Sequence, residues 1–484
     1  MIDLSTVRTD LFIGGEWRKA RETFTTLNPA TGRPLAELAA ADAADVDAAV
    51  TAATDAFRGD WGALPPSRKA VLLNKLADLV ERDVERLAAL ESADMGRPVG
   101  AGIALMIPNL VATLRYYAGW ADKINGELIT NDGYMGGPTP THAYLRRDPL
   151  GVVAAIVPWN APLMILGWKL APALACGNTV IVKPAEDASL SILALADLVT
   201  EAGFPPGTVN VLTGIGKVAG EALSLHPGVK KISFTGSTEV GRTILRNSAA
   251  TFKRTALELG GKAPQIVFDD ANLEAAVQGC AMGMLFNQGE VCAAGTRILA
   301  HRTVFDAVVA GLKGAAEAQV LGDPFDPATT LGPVVNAKQR DRVVDFMNKG
   351  AAEGADVITG GSAATGEGFF VRPTVLVGRN DMTVAREEIF GPVAVVIPFD
   401  DDDEAVALAN DNQYGLSATL WTGNVSRAHR ISARIEAGAV AVNGWSPLAP
   451  QLPWGGMKAS GIGRELGYEG ILSYTEPKTV TVVL

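Results

Sequence analysis

A chain of 484 residues with 48% hydrophobic content has the material for large buried cores, about three domains at roughly 150 residues each. Its formal net charge of -11 and pI of about 5.1 repel polyanions, which argues against nucleic acid or an anionic membrane as a partner. Three cysteines cannot make a disulfide framework at this length, and four histidines far apart in sequence offer no metal-ligand spacing.

The opening MIDLSTVRTDLF has no basic segment followed by an apolar run, and no window approaches ~18 uninterrupted apolar residues. Neither a secretion leader nor a membrane span is expected, and a reducing cytoplasm is the expected compartment. From about residue 40 to 125 apolar residues recur at three and four spacing, as in ADVDAAVTAATDAF and RKAVLLNKLADLVERDVERLAALES, which predicts helices. Pro108 interrupts the next helical run. KINGELITNDGYMGGPTPTHAYLRRDP (123–149) then reads as isolated β structure.

Residues 151–270 change rhythm. Short apolar runs (GVVAAIV, NTVIVK, TVNVLT, KKISFT, TALEL, PQIVF) alternate with helical patterns such as LSILALADLVTEAG, which predicts a parallel sheet with crossover helices. A second alternation follows residue 275, with helical VFDAVVAGLKGAAEA and KQRDRVVDFMNKGAAEG between strands VRPTVLV, PVAVVIPF and AVAVN. The prediction is an α/β protein with two α/β domains. FDDDDEAVALAND places carboxylates ahead of a helical pattern, where they favour the positive helix start, and no metal-loop spacing follows. The tail YTEPKTVTVVL is a β piece that needs a partner strand.

Several stretches carry candidate chemistry. FNQGEVCAAGTR sets Cys292 between Gly289 and Gly295, the composition of a loop rather than of a packed core. Glu258 ends an apolar strand in TALELGGKAP, where partial desolvation suits a general base. Asn160 ends GVVAAIVPWN, and an amide there can donate to a developing oxyanion. In NTVIVKPAEDAS, Lys183 and Glu186 lie past the carboxyl end of a strand: either a solvated turn or a grip on a nucleotide ribose. TGIGKVAG is a weak dinucleotide signal, and Ser237 in KKISFTGSTEVGRTIL is either an ordinary helix cap or a phosphate contact.

Taken in order, PWN, KPAE, FTGSTEVG, ELGGK, FNQGEVCAAGTR, EEIFGPV and PWGGMKASGIGRE resemble the aldehyde dehydrogenase superfamily, from NPATGRPLAE near the start to the final strand. The resemblance implies a Rossmann-like parallel-sheet cofactor domain (1–122 and 150–258), a second α/β catalytic domain (259–460), and a small β oligomerisation arm with a C-terminal tail (123–149 and 461–484). It implies Cys292 as the nucleophile, Asn160 with the backbone N–H of Cys292 as the oxyanion hole, and Glu258 as the base that activates water. NAD is the implied cofactor, held by Trp159, Lys183, Glu186, Gly216, Gly236, Ser237, Leu259, Glu388 and Phe390.

The same match suggests a substrate tunnel lined by Ala161, Met164, Ile165, Trp168, Phe286, Val291, Trp445 and Leu448. Ala161 stands where many relatives carry a bulky aromatic, so a bulky apolar aldehyde, aromatic or long-chain, is the expected substrate. Cys176 and Cys280 lie in apolar helical contexts and are expected to be inert. A homo-oligomer, dimer or tetramer, is expected, with no nucleic-acid or membrane partner and no metal. The alternatives are a CoA-acylating member, against which Glu258 speaks, and a non-catalytic structural protein on the same fold.

Overall fold

The computed structural model describes residues 7–446 and 448–484. The opening MIDLST, part of the segment read as lacking a leader, lies outside the described residues.

Five parallel strands form the centre of the first sheet: Val152–Ile156, Thr179–Lys183, Val209–Val211, Val229–Thr235 and Arg254–Glu258. VVAAI and TVIVK are buried at every position, because helices cover both faces of a parallel sheet, and they therefore read as unbroken apolar runs. The chain starts in the middle at Val152–Ile156, steps outward to Val209–Val211, then returns to build Val229–Thr235 and Arg254–Glu258 on the other side. Such a reversal opens a crevice beyond the carboxyl ends of the two strands where the order turns. Ile156 and Thr235 are those ends, so the segments after them, VPWN and GSTEVG, are delivered to one place. An N-terminal hairpin (Leu11–Ile13 and Glu16–Arg18) and the short Gly461–Ile462 close the two edges.

Helices pack on this sheet. Pro162–Ala175 carries proline in its first turn, where a missing N–H costs nothing, and is buried nearly all round. Leu190–Ala202 stops at Gly203, whose φ of +89° is the left-handed conformation that ends helices. The helical run Val99–Ala118 contains one π-helical turn, Gly102–Met106, directly before Pro108, which sits in the first turn of the α-helix Ile107–Ala118. Among the described residues this run is the one helical stretch long and apolar enough to cross a membrane. Its Ile107, Leu110, Leu114 and Tyr117 are instead buried in the largest core, with Trp61, Leu166 and Leu193.

Residues 259–263 carry the chain from the first sheet into the second. There six parallel strands, Thr374–Val377, Val393–Phe399, Arg297–His301, Pro264–Val267, Ser417–Trp421 and Ala439–Val442, lie side by side with Asp356–Thr359 antiparallel at one edge. The acidic run forms the start of the helix Asp402–Asn410, with the Asp401 carboxylate accepting from the N–H groups of Asp403 and Glu404. The tail strand Thr475–Val483 finds its partner within the chain: it pairs along its full length with Thr141–Pro149, which pairs in turn with Glu127–Ile129. Gly461–Ile462, ahead of that tail, hydrogen-bonds to Arg254–Glu258 in the first sheet.

Candidate active site

The crevice gathers the residues after the first-sheet strands. Glu186 accepts from the N–H of Gly216 at 2.6 Å, and Lys183, buried beneath, donates to the Pro184 carbonyl at 2.8 Å and lies 3.5 Å from Glu186. This is a built corner rather than a solvated turn. Ser237 caps the helix Thr238–Ala249 by accepting from Val240 N–H at 3.3 Å, so the cap reading is realised, at a helix start that is also the positive end of its dipole. Trp159 and Phe390 meet edge to face at 5.2 Å between ring centroids. Phe390 holds a φ of +60°, pinned by Gln339 Nε2 donating to its carbonyl at 2.6 Å. Glu388 reaches in from the second sheet and accepts from Gly261 N–H at 3.1 Å. A Cβ on Gly260 would stand 2.4 Å from its Oε2, so a larger residue there would push the Glu388 carboxyl out of place. Leu259 turns its side chain onto Gly241 and donates its N–H to Ser460 at 3.0 Å. The grip at Glu186, the helix start at Ser237, the ring pair and the half-buried Glu388 offer the contacts a dinucleotide needs.

Cys292 sits on the loop between the helix Leu273–Leu285 and the strand Arg297–His301, half-buried, its carbonyl packed against Gly261. The approach to it is unusual: Asn287, Gln288 and Gly289 have successive φ values of +51°, +59° and +72°. Non-glycine residues hold such a conformation only where surroundings over-determine it. Here they do. Asn287 Nδ2 donates to the carbonyls of Asn160 (3.0 Å) and Glu290 (3.1 Å), and its Oδ1 accepts from Arg97 at 3.3 Å. The Asn160 amide donates to the Glu290 carbonyl at 2.8 Å, its own carbonyl accepts from Arg97 at 3.1 Å, and Arg97 is ion-paired with Glu91, both fully buried. The side-chain amide has a second N–H to offer.

Burial pushes the Cys292 thiol up to about 12, helped by the nearby carboxylates of Glu388 and Glu258 and opposed by the N–H groups of Ala293 and of Cys292 itself. Burial also raises Glu258 well above the usual carboxylate range, and the negative charge of Glu465 adds to it. Neither Glu258 oxygen has a hydrogen-bond partner among the described residues, which leaves it available to a proton. Burial pushes the Cys176 and Cys280 thiols up, opposed at Cys176 by Lys231, and Cys280 is fully enclosed.

Ala161, Ile165 and Trp168 belong to the core cluster against which Met164, Phe286, Val291, Cys292 and Leu448 pack. Trp445 joins through its ring, 5.8 Å from that of Phe286, and through Nε1 donating to the Ala293 carbonyl at 3.2 Å. Met164, Phe286, Val291, Cys292 and Leu448 therefore share one apolar core with Ala161, Ile165 and Trp168.

Others were missed. Trp454 lies in the same apolar cluster, 6.4 Å from the Trp168 ring, and Glu465 accepts from Lys169 at 2.5 Å and Ser233 at 2.9 Å beneath Glu258. Both fall in the PWGGMKASGIGRE stretch, the one signal that pointed to them. Asn287 and Glu290, which bond Asn160, fall in FNQGEVCAAGTR, whereas Arg97, which donates to the Asn160 backbone carbonyl, and its partner Glu91 gave no such signal.

A model of the aldehyde dehydrogenase family matches residues 17–480. An aldehyde dehydrogenase of Emericella nidulans is 45% identical over 97% of this chain and 94% of its own, and human retinal dehydrogenase 2 is 44% identical over 98% and 92%. The NAD+ complex structure of an aldehyde dehydrogenase from Bacillus cereus superposes with a TM-score of 0.96 at 43% identity, covering 99% of this chain and 97% of that one. The chain belongs to the aldehyde dehydrogenase family. It is an oxidoreductase that oxidises small-molecule aldehydes with NAD(P).

Proposed function

We propose that this enzyme oxidises a bulky apolar aldehyde to the free acid with NAD, by covalent catalysis at Cys292. The observation that carries the reading is the convergence on one loop of a thiol, an amide pinned beside it, and an unpartnered carboxyl within electrostatic reach. The Cys292 thiol gives its proton to ionised Glu258, which passes it to solvent, and the thiolate sulfur attacks the carbonyl carbon to form a thiohemiacetal. Asn160 Nδ2 and the Cys292 N–H donate to the new oxyanion; the Glu290 carbonyl orients that amide, and Arg97, paired with Glu91, fixes the Asn160 backbone. The nicotinamide of bound NAD supplies the hydride acceptor, leaving a thioester on Cys292. Glu258 then takes a proton from water, the hydroxide attacks the thioester carbon, and the C–S bond breaks to release the acid. Burial raises Glu258 above the usual carboxylate range, which makes its ionised form a stronger acceptor for that proton.

Glu186 supports a preference for NAD over NADP, since its carboxylate can accept from a ribose hydroxyl but repels a phosphate there. The apolar cluster beside Cys292, with Ala161 in place of a larger side chain, supports a bulky aldehyde, and so does likeness to a relative named for retinal. The outer edge of Thr475–Val483, with Val482, Val483 and Leu484 exposed, supports a homo-oligomer joined through that arm. Cys292→Ala tests the reaction: oxidation is lost by orders of magnitude with NADH binding retained, while Cys176→Ala and Cys280→Ala remain active. The reverse pattern rejects it.

A further inference from the structure

Glu290 stands two residues before Cys292, and its side chain takes no part in the steps at the thiol. It is fully buried and presents no surface to solvent or to a substrate. Oε1 accepts from the Val335 N–H at 3.0 Å, and Oε2 has no hydrogen-bond partner among the described residues. Burial raises Glu290 well above the usual carboxylate range, opposed by the Val335 N–H and the Gln288 amide and helped by Asp187. A carboxyl in that state serves as an acceptor for one N–H rather than as a charge.

The backbone of the same residue holds the oxyanion donor. The Glu290 carbonyl accepts from Asn160 Nδ2 at 2.8 Å and from Asn287 Nδ2 at 3.1 Å, and the Glu290 N–H donates to the Asn287 carbonyl at 2.9 Å. The direction of the Glu290 carbonyl follows from that residue's ψ of +56°, between the helical and extended ranges, and the side-chain bond to Val335 tethers the residue there. Val335 is a firm anchor. Val334 N–H donates to the Phe369 carbonyl at 3.0 Å, and Asn336 Nδ2 donates to Asp187 at 3.1 Å. Asn336 Oδ1 also caps the helix Ala337–Ala352 by accepting from the Gln339 N–H at 2.8 Å.

We propose that Glu290 is a positioning residue of the oxidation: its carboxyl, docked on the Val335 N–H, fixes the carbonyl that aims the Asn160 amide at the oxyanion. The proposal rests on the reading of Asn160 as the oxyanion donor. Glu290→Leu fills similar volume without the acceptor, so the carbonyl is free to turn and the donor loses its aim. Misplacement of that order is expected to lower kcat/KM about 10- to 100-fold. The factor is the same for benzaldehyde and acetaldehyde, because both form the same oxyanion, and the Kd for NADH stays as in the wild type. Glu290→Gln keeps an oxygen for Val335 and recovers most of the loss.

The test is a double-mutant cycle on kcat/KM for the two aldehydes at saturating NAD, with NADH fluorescence titration of each protein. Asn160→Ala alone is expected to cost about 100- to 1000-fold. Glu290→Leu added to it is expected to cost no more than about a further twofold, because the donor through which Glu290 acts is gone. A cost of Glu290→Leu that is equal in the two backgrounds overturns the proposal, as does an unchanged kcat/KM in the wild-type background. A loss that differs between the aldehydes, or a Glu290→Gln loss as large as that of Glu290→Leu, also overturns it. Glu290→Met enters the same cycle where Glu290→Leu does not fold. Asn160→Ala with wild-type kcat/KM rejects instead the reading of Asn160 on which the proposal stands.

Discussion

Arg97→Met tests how the oxyanion donor is held. The guanidinium is fully buried and spans three partners, the Asn160 carbonyl at 3.1 Å, Asn287 Oδ1 at 3.3 Å and the Glu91 carboxylate. Methionine fills similar volume but leaves Glu91 charged and enclosed, its remaining contact being Leu163 N–H at 2.9 Å. Removing one member of a buried ion pair costs about 3–5 kcal/mol, because the other is left unpaired. Glu91→Gln with Arg97→Met removes that charge and should return most of the loss. The effect on rate has a separate origin. Asn160 keeps its bond to Glu290 and the Asn287 donor on its carbonyl but loses the Arg97 donor there, while Asn287 loses its own anchor on Arg97, and a displacement of about 1 Å near a reacting centre costs up to about 100-fold in kcat. Urea unfolding followed by tryptophan fluorescence reads the first effect, and initial rates with saturating NAD read the second. A stability loss below about 1 kcal/mol with kcat unchanged would refute the clamp.

Ala161→Phe should cost a bulky aldehyde about 1–3 kcal/mol in kcat/KM while sparing acetaldehyde, because the ring would narrow the apolar wall beside Cys292; equal losses for both would remove Ala161 from that wall. Glu186→Ser should raise kcat/KM with NADP relative to NAD by removing the like charge that faces a 2′-phosphate, and a wild-type enzyme equally efficient with both cofactors contradicts the role of Glu186. Light scattering at micromolar concentration should report a dimer or tetramer, and a monomer counts against the arm as an interface.

The first sheet was legible because its strands are covered on both faces, so that VVAAI and TVIVK stand out as solid apolar runs. TVNVLT shortens to Val209–Val211, since only those residues pair with a neighbour, and Gly461–Ile462 is too short for any period to show. The loop of Cys292 was legible in its glycines. Its left-handed Asn287 and Gln288 were not, because neither residue type announces a conformation that only its neighbours enforce. Arg97 and Glu91 read as the polar side of a helical region; their burial depends on Asn160, about sixty residues away, and no local pattern records that.

The central claim is that Cys292 carries the acyl group and Glu258 brings the water that removes it. Intact-protein and peptide mass spectrometry of Glu258→Gln, quenched in acid after mixing with NAD and a bulky apolar aldehyde, tests this directly. Gln cannot take the proton from water, so hydrolysis stalls after hydride transfer. The account predicts a burst of one NADH per active site and a mass increase, equal to the acyl group, on the peptide that contains Cys292. Undiminished steady turnover, or an acyl group found on any other residue, would contradict it.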